Sequence, residues 1–148
     1  MTAGVDVVVW HFARVLADVV IGDHCSIGGG AEIGRGTLIG DHSRISANVF
    51  LPSNTVIGDH VFIGPGVVCT DDRYPRTLEP GETYEALPPC IGDYASIGAG
   101  AVLLPGVQIG KRARIAAGAI VTRDVPDEGM VRGEPARMAE RSEASKNW

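Results

Sequence analysis

Aliphatic side chains recur at every sixth position along most of this chain. The series runs Val9, Val15, Ile21, Ile27, Ile33, Ile39, Ile45, Leu51, Ile57, Ile63 and Cys69, breaks, and resumes at Ile91, Ile97, Leu103, Ile109, Ile115 and Val121. In most repeats Gly follows the aliphatic residue, and four positions after it stands a small or β-branched side chain such as Cys25, Ala31, Thr37, Ser43, Val49 or Thr55. A period of six fits neither the 3.6-residue stripe of a helix nor the strict alternation of a simple strand. It predicts a β-solenoid in which each repeat forms one short flat face and three repeats close a triangular coil.

Three six-residue faces make an 18-residue coil, so residues 18 apart in the sequence are expected to stack, with coils separated by the strand spacing of about 4.8 Å. The repeat at Val9 defines face one, Val15 face two and Ile21 face three. The solenoid is predicted over about residues 9–126 as one domain. Its interruption, residues 70–90, contains Pro75, Pro80, Pro88 and Pro89 and has no period. It is expected to be a loop extruded at a corner, and loops of this length in a compact domain are usually functional. The tail, residues 127–148, is expected to cover one end, with Pro135–Ala144 as a short helix.

Bulk properties narrow the function classes. A chain of 148 residues holds one domain. The net charge of −5 argues against nucleic acid as the main partner. No apolar run is long enough to span a bilayer, so no membrane partner is expected. The N-terminus has no charged segment leading into an apolar one, which makes a cytoplasmic location the expectation. Cys25 and Cys69 fall on inward repeat positions and read as small core residues, not disulfide partners.

Two segments carry a family resemblance. VTRDVPDEGMVRGEPAR, Val121 to Arg137, resembles the ending of hexapeptide-repeat acyltransferases that use acetyl-CoA. VWHFARV, Val9 to Val15, together with the stretch from Asn48 to Arg76 that contains HVFIGPGVVCTDDRYPR, resembles the narrower group of sugar-nucleotide 3-N-acetyltransferases. The resemblance covers about residues 9–138. It implies a left-handed parallel β-helix, an exception to the right-handed rule for parallel crossovers. It also implies a homotrimer, acetyl-CoA as cosubstrate, no metal, and an acceptor amine on a UDP- or dTDP-linked deoxyamino sugar. The loop motif departs from the group at Asp71, where Asn is common, and at Ser53, where an acidic residue is often found.

Stacking places Arg35, Ser53, Asp71 and Arg123 in one column on face two. A polar column beside a long loop can form a substrate groove. Asp71 is the candidate to orient the acceptor amine. Arg35, Ser53, Asp72 and Arg76 are candidate substrate contacts. His11, after Trp10, matches a superfamily tendency to use a His as general base. For CoA, Arg123 and Arg137 are candidate phosphate partners. The small residues Gly98, Ala99, Gly100, Ala116, Ala117 and Gly118 would let the pantetheine arm approach the backbone. His24, His42 and His60 also lie 18 apart, each in an Ile-Gly-Asp-His turn. A zinc site like that of γ-class carbonic anhydrases would need a further His at position 65, which is Pro65. A solvated turn ladder is the expectation. The alternatives to N-acetyl transfer are O-acetyl transfer to a sugar or small alcohol and a non-catalytic or carbonic-anhydrase-like β-helix.

Overall fold

The structure, a computed structural model, describes residues 1–139. It is a left-handed parallel β-helix with three flat faces. Face one contains Val8–Val9, Ser26–Ile27, Arg44–Ile45, Phe62–Ile63, Ser96–Ile97, Arg114–Ile115 and Met130–Arg132. Face two contains Arg14–Val15, Glu32–Ile33, Phe50–Leu51, Val68–Cys69, Val102–Leu103 and Ile120–Val121. Face three contains Thr2–Ala3, Val20–Ile21, Leu38–Ile39, Val56–Ile57, Cys90–Ile91 and Gln108–Ile109. All these strands pair in parallel with the repeat one coil away, as in Ile21↔Ile39 and Ile97↔Ile115.

The six-residue period is visible in the packing. The aliphatic residue of nearly every repeat points inward and is buried, from Ile21 through Ile63 and from Ile91 through Val121. The small residue four positions later points inward at the next bend, as Ala31, Thr37, Val49, Ala101 and Ala119 do. Cys25 and Cys69 are buried and unpaired, and burial pushes the Cys69 thiol up to about 12. The glycine after each aliphatic is explained by coil-to-coil distance. A Cβ on Gly34 would run into the Ser53 backbone nitrogen, and one on Gly98 into that of Ala117.

Most corners end in a left-handed residue, a conformation that Gly, Asn, Asp and His tolerate best. His24, His42 and His60 all occupy it, with φ of 56°. Their rings stack at 4.8 and 4.7 Å, Tyr94 continues the stack at 4.7 Å, and the Arg112 guanidinium lies 4.6 Å from the Tyr94 ring centre. Beside it runs a carboxylate ladder in which Asp41 and Asp59 each accept the backbone N–H of the aspartate one coil before, at 2.8 Å.

Pairing extends beyond the stretch that the aliphatic period marks. Thr2–Ala3 pairs with Val20–Ile21, although Ala3 is too small to register in the series. After Val121 the next inward residue comes early, at Val125, which bridges to Ile109, and Val131 follows on face one. The tail departs from expectation. Residues 135–139 form no helix. Arg137–Met138 is a strand antiparallel to Met130–Arg132 instead, with a turn at Gly133 (φ 91°) that reverses the chain. The remainder of the expected helix lies outside the described residues.

Candidate functional site

The site is built where the loop leaves the solenoid. Elsewhere at this corner the coils join directly, with the Gly36 N–H donating to the Ala17 carbonyl and the Asn54 N–H to that of Arg35. At the loop the bond is relayed. The Leu87 N–H donates to the Asp71 carbonyl at 2.8 Å, and the Gly106 N–H donates to the Leu87 carbonyl at 2.7 Å. The returning chain is thus wedged between two coils, and Asp71 is held apart from Pro105 and Gly106. Thr70 fixes the departure point, its hydroxyl donating to the Leu103 carbonyl at 3.0 Å.

A cleft of about 600 Å³ opens beside this wedge, lined in part by Phe50, Thr70, Asp71, Arg73, Leu104 and Thr122. Asp71 is half-buried, and its Oδ2 accepts a hydrogen bond from the Tyr84 hydroxyl at 3.1 Å. The carboxylate in turn raises the Tyr84 phenol above its ordinary value. Asp72 is turned to its own loop, its Oδ1 accepting the Tyr74 N–H at 2.9 Å. Arg76 is clasped by Glu82 through bonds of 2.8 and 3.2 Å. The Arg76 guanidinium, helped by the Glu79 N–H, holds the Glu82 carboxyl below the usual range.

A second cavity of about 190 Å³ lies between the last coil and the tail hairpin, lined by Thr122, Arg123, Asp124, Pro135 and Arg137 among others. It brings together the two arginines that the sequence suggested for CoA. Thr122 lines both cavities. Arg123 is two coils beyond Asp71 in the same column, roughly 10 Å along the axis.

The other candidates are distributed differently. Arg35 and Ser53 share the Asp71 corner, on the two coils before it. Ala99, Gly100, Ala117 and Gly118 form an exposed strip on the next corner, between faces one and two, where the Gly118 N–H donates to the Ala99 carbonyl at 2.8 Å. His11 belongs to that same corner on the first coil, exposed between Trp10 and Phe12. In one chain it stands three coils from the loop and around the edge from Asp71. Among the described residues, no group of three or more His, Cys, Asp or Glu is placed to hold a metal ion. The histidine stack explains why for its own part: near-parallel rings present faces to one another, and their nitrogens do not converge on a tetrahedral point. No described helix is long and apolar enough to cross a membrane.

Sequence reasoning missed Arg73, Tyr84 and Leu87. Arg73 lies within the quoted loop motif, so a signal was available. Tyr84 and Leu87 sit in the aperiodic stretch, where no spacing rule says which side chain folds back onto Asp71.

Comparison with known proteins fits this geometry. Residues 36–71 and 91–123 match the bacterial transferase hexapeptide (six repeats) family, and residues 18–52 match the hexapeptide repeat of succinyl-transferase. The hexapeptide-repeat containing acetyltransferase VCA0836 of Vibrio cholerae, solved with acetyl-CoA, is 33% identical, with a TM-score of 0.72 over 84% of this chain and 71% of that one. A perosamine N-acetyltransferase mutant of Caulobacter crescentus, solved with CoA and GDP-perosamine, shares the fold at 24% identity and a TM-score of 0.67, over 95% of this chain and 58% of that one. The 2,3,4,5-tetrahydropyridine-2,6-dicarboxylate N-acetyltransferase of Staphylococcus aureus is 45% identical over 78 residues, which is 53% of this chain and 29% of that protein. The chain belongs to the hexapeptide-repeat acetyltransferase family. It spans well under half the length of the curated relatives it matches, between 29% and 41%.

Proposed function

We propose that this chain is an acetyl-CoA-dependent N-acetyltransferase whose acceptor is an amine on a nucleotide-linked deoxyamino sugar, working as a homotrimer. The observation that carries the reading is that Thr122 lines two unlike cavities. One presents a half-buried carboxylate at Asp71, and the other presents the Arg123 and Arg137 guanidiniums. Guanidinium pairs suit the phosphates of CoA, and a carboxylate suits an amine. The acetyl-CoA complex of the Vibrio relative and the GDP-perosamine complex of the Caulobacter enzyme support the two halves of the assignment. A trimer suits the separation of the small-residue corner from the basic cavity, since a neighbouring copy can bring its corner to the site.

In the proposed mechanism the free amine attacks the thioester carbonyl. Backbone N–H groups at the small corner stabilise the oxyanion. The tetrahedral intermediate collapses, the C–S bond breaks, and the departing thiolate takes up the proton released by the amine. Asp71 orients the amine, held in turn by the Tyr84 hydroxyl. Positioning of this kind supplies much of the rate.

The test is a pair of variants at Asp71, assayed by thiol release from acetyl-CoA with UDP- and dTDP-linked amino sugars. Asp71→Asn keeps a hydrogen-bond acceptor and should retain substantial turnover, whereas Asp71→Ala should lose most of it. A loss of about 10²–10⁴-fold in Asp71→Asn, with CoA binding intact, would make Asp71 an obligatory general base. That result would favour O-acetyl transfer, because an alcohol needs a base where an amine does not.

A further inference from the structure

Arg73 is the feature that the acyl-transfer reading leaves unused. Besides Asp71 the loop carries Asp72, Arg73, Arg76, Glu79, Glu82 and Glu85, so its cations are Arg73 and Arg76 alone. Arg76 is clasped by Glu82, and Asp72 is bonded to the Tyr74 N–H. Arg73 is exposed, and none of the ion pairs or hydrogen bonds found among the described residues involves its guanidinium. It lines the Asp71 cleft, the hollow inside the loop and the shallow groove that leads past Pro105 to Arg123. It therefore stands where three openings meet.

Gly106 lies beside it at φ 78°, and a Cβ built there would come 3.6 Å from Arg73 Nη2, in ordinary contact. Leu87 flanks the same spot, its Cβ 3.6 Å from the position of that Gly106 Cβ. The residue that relays the coil-to-coil hydrogen bond thus walls the place where the guanidinium rests.

The cleft holds both signs of charge: Asp71 and Asp72 are among its lining residues, and Arg73 is the one cation there. An amine held at Asp71 leaves Arg73 to a group of opposite charge. A planar guanidinium with its N–H fork available takes diphosphate or carboxylate in two-point fashion.

We propose that Arg73 is the specificity-determining residue of this cleft, selecting acceptors that carry an anionic group, a diphosphate or a carboxylate, beside the amine. The inference rests on the reading of the Asp71 cleft as the acceptor site. It goes beyond that reading by naming the group that recognises the far end of the acceptor. It also gives a nucleotide-linked sugar and a dicarboxylate acceptor, the latter the kind named for the Staphylococcus relative, a common basis of recognition, and the two sources can be separated by experiment.

The experiment is titration calorimetry on the full chain saturated with CoA, using UDP as the diphosphate probe and pimelate as the dicarboxylate probe. Wild type should bind one of the two. UDP binding would assign a nucleotide-linked acceptor, and pimelate binding an amino dicarboxylate. Arg73→Ala should weaken that probe about tenfold or more, in keeping with the loss of charge-assisted hydrogen bonds. Arg73→Lys should recover part of the loss, since the charge remains but the fork does not. Three results would overturn the proposal: neither probe binds wild type, Arg73→Ala binds as well as wild type, or CoA affinity falls in parallel, which would make Arg73 a CoA ligand. Failure of the parent reading looks different. If Asp71→Ala turns over normally while Arg73→Ala still loses the probe, the anion site stands and the acceptor assignment of Asp71 falls.

Discussion

The coils and the loop are built by opposite rules. In the coils every side chain answers to a neighbour one coil away. Ile21 stacks on Ile39, Ile97 on Ile115, and the backbone N–H of nearly every repeat meets a carbonyl one coil away. In residues 70–89 nothing repeats, and order comes from a few particular contacts: the Arg76–Glu82 clasp, the Tyr84–Asp71 bond and the Leu87 relay. The coils make stability collectively and chemistry poorly. A repeated face offers the same groups at every level, whereas the loop breaks that sameness at one corner and opens a cleft there.

The comparison can be broken first in the coils. Leu103 is fully buried where face two resumes after the loop. Leu103→Ala should cost about 2–5 kcal/mol in stability through lost burial and the cavity left behind, measured by urea or thermal unfolding. A cost under about 1 kcal/mol would mean that the solenoid collapses around the gap and tolerates local loss better than close packing implies.

The loop should respond in the other way. Removing residues 78–83 deletes the Glu82 half of the clasp but keeps Tyr84 and Leu87. The protein should remain folded and bind CoA, while turnover falls about 10²-fold, as expected when a substrate is misplaced by about an ångström. Unfolding of the shortened protein would show that the loop holds the coils together and would erase the contrast drawn here.

The smallest effect concerns pH. Glu82 has its carboxyl depressed by Arg76. A depressed carboxylate contributes order that is fully present above its unfolded value and lost as pH falls through its folded value. The loop should therefore loosen only on the acid side of the ordinary glutamate range, about 4.3. Limited proteolysis within residues 70–89 should accelerate there, and Glu82→Gln should show the faster cleavage already at neutral pH. Equal cleavage of both proteins at all pH values would remove the clasp from the account of loop order.

The fold was legible in the sequence because inward aliphatic positions obey an arithmetic that needs no knowledge of the third dimension. That arithmetic stops at the break, because Ile91 does not follow Cys69 by a multiple of six; it is the pairing of Cys90–Ile91 with Val56–Ile57 that puts the resumed series on face three. The expected loop ended at residue 90, but Cys90 already belongs to the strand. The tail was misread where Pro135 suggested a helix start. The turn at Gly133 and the pairing of Val131 with Met138 are tertiary choices that a local pattern does not express. At the site, the Arg35–Ser53–Asp71–Arg123 column was legible as a column. Its being pried open by Leu87 was not, because a backbone relay leaves no signature in side-chain type.

That relay also bears on inheritance. His60 and Tyr94 are 34 positions apart in the chain, yet their rings stack at 4.7 Å, as closely as His42 and His60, which are 18 apart. The excursion leaves and re-enters without moving any downstream residue off its face. Its length is thus uncoupled from the lattice on either side, and insertions or deletions within it need not be multiples of anything. A lineage can redraft this one segment, trading one acceptor for another, while the scaffold is copied unchanged. The same freedom makes the segment a natural place to graft a relative's loop and ask whether its substrate preference travels with it.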